Sequence, residues 1–145
     1  MSDAGTCATG GNSNGDERTV LTVEPIPPKG TYWFSVKILY WGLGLRIGIS
    51  TSEINLNQMI GNNFYSWALS DCGKIRHGKV WNDYHVELKK GDLITVIINR
   101  SWGIVSYEIN GNENGVAFTD NKLKKLELYP AVSLNWDTKV CLVKH

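Results

Sequence analysis

The stretch EINGNENGVAFTD, residues 108–120, has two structural interpretations that lead to different functions. Asparagines occupy alternate positions from Asn110, and a glycine follows at the sixth place, which is the spacing of a calcium-binding EF-hand loop. The same stretch places Asn110-Gly111 between two runs that contain alternating apolar residues, which is typical of a β-hairpin turn. The first interpretation predicts a metal site, and the second predicts two paired strands.

The charge of this stretch distinguishes between the two interpretations. An EF-hand loop that starts at Asn110 needs an acidic first residue and a bidentate glutamate at its twelfth place, but this chain has Asn110 and Asn121 there. Glu113 is the sole carboxylate before the eleventh place, so a divalent cation would be under-neutralised. The preceding run, Ile104–Ile109, alternates like a strand. We therefore predict a hairpin turn at this position and no metal site.

Short alternating runs recur along the rest of the chain. Apolar residues fall at every second position, as in a half-buried β-strand, over 32–38, 45–49, 94–98, 105–109 and 132–136. The helix-like runs, 52–59 and 123–128, span about two turns at best. We predict an all-β domain built as a sandwich of two antiparallel sheets. Trp67 and one face of the aromatic run Tyr32-Trp33-Phe34 are expected to pack in its core.

Composition and charge exclude several classes of protein. With 145 residues, 42% of them hydrophobic, the chain has the length of one domain with a single core. Its formal charge of +1 does not attract nucleic acids or anionic membranes over long distances, so neither is expected as a partner. The sequence has no run of about 18 apolar residues and no signal-peptide pattern, so we expect an intracellular, cytoplasmic protein.

The first 18 residues differ in composition from the remainder of the chain. Gly, Ser, Asn, Asp and Thr dominate there, and no large apolar residue follows Met1. We expect a flexible tail over 1–18 and a folded domain over 19–145, because such a segment cannot offset the entropy of ordering. Cys7, Cys72 and Cys141 are widely spaced and match neither a disulfide framework nor a zinc motif, so we predict that all of them are free thiols.

Several motifs in the chain resemble those of the SPRY domain family. SYEINGNENGVAF followed by LYPAVSL is similar to the family's paired signature, in which a strand ends in Asn-Gly, a glycine precedes Ala-Phe, and Tyr-Pro opens a late strand. Further segments match in order and spacing: GTYWFSVKI, RIGIST, YSWAL and LKKGDLITVIIN. The resemblance covers about 30–143. It implies a bent sandwich of two antiparallel sheets, of the concanavalin-like jelly-roll type, whose loops form a protein-binding surface.

The resemblance also indicates where a partner would bind. SOCS-box adaptors of this family have a tryptophan, in a position similar to Trp136, that helps to form a peptide pocket. Trp136 is therefore either a contact or a residue packed under the last hairpin. This chain departs from those adaptors in the loops at 25–29 and 57–60, so the same peptide is not assumed. The predicted partner contacts are Tyr65, Arg76, His77, Trp102 and Trp136, with Asn135 and Asp137 as polar groups beside Trp136.

The segment SDCGKIRHGKVW, residues 70–81, is the most basic part of the chain. Lys74, Arg76, His77 and Lys79 lie close together in it. One interpretation is a solvated hairpin. The other is a rim that binds an acidic or phosphorylated partner, since Arg76 and its neighbours supply charge-assisted hydrogen-bond donors.

No catalytic motif accompanies the predicted sandwich. His77, His85 and His145 form no metal-binding pair, no nucleophile elbow or phosphate loop is present, and acidic residues are not paired along one strand as a glycosidase requires. We predict a non-enzymatic, monomeric interaction module without a cofactor, which binds a short segment of a partner protein as a scaffold or substrate-recognition adaptor. The alternative is a carbohydrate-binding, lectin-like domain, because tryptophan-bearing loops stack sugars and asparagine side chains bind hydroxyl groups.

Overall fold

The structure is a computed structural model that describes residues 6–9, 18–22, 24–40, 44–53, 59–78, 80–134 and 138–143. These residues form twelve strands and one short 3-10 helix, Asn121–Lys124. The strands are β1 (Thr6–Thr9), β2 (Arg18–Leu21), β3 (Thr31–Tyr40), β4 (Leu45–Ser50), β5 (Ser66–Ser70), β6 (Lys74–His77), β7 (Val80–Asp83), β8 (Leu93–Asn99), β9 (Ile104–Ile109), β10 (Asn112–Thr119), β11 (Tyr129–Leu134) and β12 (Lys139–Val143). No helix within the described ranges is long and apolar enough to cross a membrane.

The strands form two six-stranded antiparallel sheets that share one core. Sheet A has the strand order β1-β12-β3-β8-β9-β10, and sheet B has the order β2-β11-β4-β5-β6-β7. Phe34 and Ile94 of sheet A and Ile47 and Trp67 of sheet B belong to the same buried cluster. Side chains from two inner faces interdigitate in this way in a β-sandwich. The prediction of an all-β sandwich with two antiparallel sheets is confirmed.

The alternation along β3 sorts its side chains between the core and the outer face. Phe34, Val36 and Ile38 are buried, whereas Trp33 is exposed. Successive side chains of a strand point to opposite faces of its sheet, which explains the pattern. Trp67 of β5 is also fully buried, as the sequence predicts.

The stretch at residues 108–120 contains the hairpin turn between β9 and β10. Asn110 and Gly111 occupy its turn with φ values of 53° and 83°, a left-handed conformation that these two residue types tolerate. The Asn110 side chain ties this turn to the start of β8. Its Oδ1 accepts a hydrogen bond from the Leu93 backbone N–H at 2.8 Å, and its Nδ2 donates to the Asp92 carboxylate at 2.9 Å. The hairpin interpretation is therefore confirmed.

The first strand corrects the prediction of free thiols. β1 pairs with β12 at the edge of sheet A, which places Cys7 directly opposite Cys141, and the two residues form a disulfide. The prediction of free thiols is therefore wrong for this pair, and Cys72 is the free cysteine within the described residues. Thr6–Thr9, within the segment expected to be a flexible tail, forms β1 and pairs with β12, and the division into a tail and a domain stays a prediction. The two cysteines are 134 positions apart, so their spacing does not reveal the pairing.

Tyr107 connects the two sheets inside the core. Its side chain is fully buried on β9, and its hydroxyl donates a hydrogen bond to the Ile47 carbonyl oxygen of β4 at 2.9 Å. The Tyr84 ring packs edge-on against it, with ring centres 5.8 Å apart. Burial, with a smaller contribution from Tyr84, raises the pKa of Tyr107 far above its ordinary value. Ionisation would leave an unpaired charge in the core.

We expect Tyr107→Phe to lower the free energy of unfolding by about 1 kcal/mol near neutral pH, because the Ile47 carbonyl loses a donor. This difference is expected to shrink above about pH 10, where an unfolded tyrosine ionises but the folded Tyr107 stays neutral. The stability that depends on the raised pKa is present below that pH and is lost as pH rises. Urea unfolding of both proteins from about pH 7 to about pH 11 measures this difference in the free energy of unfolding. A difference that stays constant across this pH range would contradict the prediction.

Candidate functional site

One end of the sandwich presents exposed aromatic side chains on loops. Phe64 and Tyr65 directly precede β5, and Trp102 lies in the turn between β8 and β9; their exposed fractions are 53%, 47% and 70%. His77, at the end of β6, contacts the Phe64 ring. We call these residues the aromatic end. Because clustered apolar side chains that stay exposed mark contact surfaces, this end is the candidate site.

His77 is anchored by its neighbours. Its ring stacks on Trp67 with ring centres 4.5 Å apart and planes 7° apart, and Phe64 meets it edge-on at 5.7 Å. Nδ1 lies 2.9 Å from the Ser66 carbonyl oxygen, which can only accept, so Nδ1 carries a hydrogen and donates it. Nε2 lies 3.5 Å from the Asp120 carboxylate. His77 therefore supports the aromatic surface from below, with both ring nitrogens facing protein groups.

Asp120 joins the two sheets beneath the aromatic end. It follows β10 of sheet A, and its carboxylate accepts a hydrogen bond at 3.3 Å from the indole nitrogen of Trp67 in sheet B. The same side chain accepts from the Lys122 backbone N–H at 2.9 Å and so caps the 3-10 helix. Asp120 is not among the contact residues predicted from the sequence. An aspartate directly before a short helical run is the N-cap signal that could have indicated it.

Phe64 packs over the turn between β6 and β7. A side chain at Gly78 would collide with the Phe64 ring, and the Gly78 N–H donates to the Asn63 carbonyl at 2.8 Å. The Lys122 ammonium lies 5.8 Å from the centre of the Phe64 ring. Phe64 therefore lies close to the turn after β6 of sheet B and to the 3-10 helix after β10 of sheet A. Tyr65, and not Phe64, is the contact predicted from the sequence, because no local pattern distinguishes these two adjacent aromatic residues.

Hydrogen bonds hold the backbone of the turn that carries Trp102. The Asn99 side chain accepts hydrogen bonds from the backbone N–H groups of Ser101 and Trp102, each at 3.0 Å. The Gly103 N–H donates to the Asn99 carbonyl at 2.9 Å, and the Gly103 carbonyl accepts from the Asp120 N–H at 2.9 Å. The exposed indole is therefore presented by a hydrogen-bonded turn that adjoins the 3-10 helix.

Arg76 lies on the outer face of sheet B and is largely shielded from water. It is 7% exposed, and its guanidinium carbon lies 3.2 Å from the centre of the Trp81 ring, on the adjacent strand β7. This is a cation–π contact in which Trp81, itself 55% exposed, covers the charge. A molecule that approaches this face meets Trp81 before Arg76. The sequence left both a solvated hairpin and a basic rim open for this segment, because it does not show that β6 pairs with β7 in this register.

Some of the predicted contact residues lie outside the part of the chain that the structure describes: Asn135, Trp136 and Asp137. β11, which precedes them, ends at Leu134, opposite Leu45 of β4. The aromatic end lies at the opposite end of β4, where Ser50 pairs with Ser66 of β5. The role of the residues after Leu134 stays a prediction.

The chemistry available at the aromatic end is stacking and apolar contact. Among the residues that the structure describes, no group of three or more His, Cys, Asp or Glu side chains is placed to hold a metal ion. The His77–Asp120 pair is engaged in holding Trp67, the 3-10 helix and the Ser66 carbonyl. It acts as a structural connection between the sheets.

Comparison with known proteins supports this picture of the fold. The family model of the SPRY domain matches residues 31–144. The chain is 26% identical over 107 residues to "SPRY domain-containing SOCS box protein 3" of Xenopus laevis, covering 68% of this chain and 30% of that protein. It is 32% identical over 107 residues to "ATP-dependent RNA helicase Ddx1" of Drosophila melanogaster, covering 73% of this chain and 14% of that protein. The chain thus spans less than a third of the length of either relative.

Solved structures agree with the arrangement of the sheets. The SPRY domain of human HERC1 superimposes with a TM-score of 0.77 at 21% identity, covering 99% of this chain and 90% of that chain. A second human SPRY domain gives a TM-score of 0.75 at 20% identity, covering 92% and 87% of the two chains. These likenesses confirm the fold that the sequence motifs predict. With a family match that extends from β3 to beyond β12, the chain belongs to the SPRY domain family.

Proposed function

We propose that the aromatic end binds a short segment of a partner protein. SPRY domains are protein-interaction modules that are generally non-catalytic. The observation that supports this site most strongly is the exposure of Phe64, Tyr65 and Trp102 on loops at one end of the sandwich. Aromatic side chains are among the residues most often found as anchors at protein interfaces, because they bury a large area with few rotatable bonds.

The geometry of the aromatic end favours binding without extensive reordering. Asn99 holds the turn of Trp102, and the contact with Gly78 restricts the Phe64 ring. A surface that is ordered before binding loses less conformational entropy when the partner arrives. Lys122 places a positive charge beside Phe64, so we expect the partner segment to combine an apolar residue with an acidic one.

We infer a scaffold or substrate-recognition adaptor that works as a monomer, without a cofactor, and that contacts neither nucleic acid nor a membrane. One relative has a SOCS box in its name, which is consistent with an adaptor role. We propose a cytoplasmic location on the basis of the sequence. The Cys7–Cys141 disulfide argues against a cytoplasmic location, because disulfides are rare in reducing compartments. Imaging of the tagged protein in cells tests the location.

Trp102→Ala is expected to weaken partner binding by about 2 kcal/mol, or about thirtyfold. The indole is exposed and its backbone hydrogen bonds do not involve the side chain, so the fold should be retained. The tagged wild-type domain would first be used to isolate partners from cell lysate for identification by mass spectrometry. Calorimetric titration with the purified partner then measures the affinity of both proteins, and circular dichroism checks the fold.

A matched control is available in Trp33→Ala. It removes a tryptophan that is 45% exposed from the outer face of sheet A, where it lies opposite Ile97 of β8, so we expect it to retain partner affinity. Unchanged affinity in Trp102→Ala, or an equal loss in Trp33→Ala, would show that the proposed surface is incorrect. A glycan array with the same proteins tests the lectin alternative. Sugar binding that depends on Trp102, with no direct binding to any purified candidate protein, would favour that alternative.

A further inference from the structure

The turn between β5 and β6 contains a group of side chains that is separate from the aromatic end. Cys72 is exposed in this turn, and its Sγ lies 3.0 Å from the Ser70 hydroxyl oxygen. The Arg76 side chain, from β6, lies near enough for its positive charge to act on the same sulfur. This turn follows the end of β5 at Ser70, whereas the aromatic end adjoins its start at Ser66. The sequence predicts that Cys72 is a free thiol, as it is here.

Arg76 supplies a second, independent indication of an anionic ligand. The residue is 7% exposed, and its Nε has no hydrogen-bond partner among the described residues. The Trp81 ring, 3.2 Å from the guanidinium carbon, fixes the position of this cation and shields it from water. No salt bridge to Arg76 is found within the described part of the chain. A shielded cation with an unused donor favours a negative charge next to it.

The surroundings of Cys72 favour its anionic form. Burial alone would raise the pKa of the Cys72 thiol, but hydrogen bonds from Ser70, Arg76 and the Lys74 backbone, together with the Arg76 charge, lower the pKa below its ordinary value. The Ser70 hydroxyl donates to the Lys74 carbonyl at 3.0 Å, and its single hydrogen can turn to the sulfur when the thiolate forms. An exposed thiolate beside a guanidinium is the pattern of a reactive cysteine.

We propose that Cys72 is a site of reversible thiolation by small anionic disulfides of the glutathione class. The Cys72 thiolate attacks one sulfur of the disulfide and forms a new S–S bond to it, while the original S–S bond breaks. The electron pair leaves on the second sulfur, which is released as a thiolate and takes a proton from water. Cys72 is oxidised and the released half is reduced, so the disulfide itself is the oxidant. Arg76 stabilises the attacking thiolate, and its positive charge favours an anionic disulfide over a neutral one even though Trp81 covers the guanidinium.

Incubation of the non-reduced, full-length chain with glutathione disulfide tests this proposal. Intact-mass measurement and peptide mapping are expected to show one glutathione adduct on Cys72 and none in Cys72→Ser. Arg76→Gln is expected to shift the pH midpoint of the reaction rate upward. For each unit of that shift, the thiolate fraction falls about tenfold and its nucleophilicity rises about threefold, so the rate at neutral pH falls about threefold.

Lys74→Gln is the matched control, because it removes a positive charge from the same strand without removing a side-chain hydrogen bond to the sulfur. We expect it to retain the wild-type rate and pH midpoint. If circular dichroism shows that Arg76→Gln is unfolded, Arg76→Lys, which keeps the charge, replaces it. Its reaction rate and pH midpoint are expected to lie between those of the wild type and those expected for Arg76→Gln. Equal slowing in Lys74→Gln, an adduct confined to Cys7 or Cys141, or a folded protein that reacts no faster than the urea-unfolded one would overturn the proposal.

Discussion

Replacing Trp67 with alanine is expected to lower the free energy of unfolding by about 3 to 5 kcal/mol. Trp67 is fully buried and belongs to the core cluster that both sheets share. Its strand, β5, is paired with β4 on one side and β6 on the other, so the backbone cannot move inward without loss of strand pairing. The substitution therefore leaves a cavity that the surrounding side chains fill incompletely.

The same substitution is expected to loosen the aromatic end. Without the indole, His77 loses the ring on which it stacks, and the Asp120 carboxylate loses one of its donors. These contacts hold the ends of the two sheets together beneath Phe64 and Trp102. Partner affinity should therefore fall as well, although Trp67 itself is inaccessible to a partner.

Urea unfolding followed by circular dichroism measures the loss of stability, with two variants for comparison. Trp33→Ala removes a tryptophan from a half-exposed position and is expected to cost about 1 kcal/mol or less. Trp67→Phe keeps an aromatic ring in the core and should recover part of the loss. If Trp67→Ala and Trp33→Ala unfold at the same urea concentration, Trp67 does not have the structural role described above.

Gly48→Ala is expected to destabilise the protein by about 3 kcal/mol or more, and the variant should accumulate poorly as folded protein. A Cβ at this position would collide with the backbone carbonyl oxygen of Trp67 and the Cα of Ala68. Gly48 lies within β4, paired with Ala68 on one side and Ala131 on the other. Because the colliding atoms belong to the backbone of a central strand, relief requires that the β4–β5 ladder shift or separate.

Gly91→Ala is the matched control for this prediction. A Cβ there would meet nothing within 4 Å, but the residue has a φ of +91°, which alanine adopts only with strain. We expect a loss of about 1 kcal/mol from conformational strain alone. Thermal and urea unfolding of both variants compares the two mechanisms directly. A smaller loss in Gly48→Ala than in Gly91→Ala would mean that the close approach of β4 and β5 is not as described.

The fold class could be predicted because the patterns that indicate it are local. The alternation in β3 places Phe34 and Val36 in the core, since the pleat sends successive side chains to opposite faces. Asn110-Gly111 indicates a hairpin because both residue types tolerate a positive φ. Neither argument needs knowledge of a distant residue, and both predictions are confirmed.

The candidate site could be predicted only in part. Tyr65 and Trp102 are exposed, as expected of contact residues, but His77 is anchored and Arg76 lies beneath an indole. The side chain that covers Arg76 comes from the next strand, so its burial depends on strand register. Asp120 was missed for a similar reason, because its partners come from the other sheet.

Local sequence determined that this chain is an all-β domain with a hairpin at residues 110–111 and the motifs of the SPRY family. Tertiary structure alone decided which distant side chains meet: Cys7 with Cys141, and Asp120 with Trp67. The physical reason is that the spacing of residues along one strand specifies the faces of that strand. The register between strands and the stacking of the two sheets depend on the packing of the whole core, which no single stretch of sequence specifies.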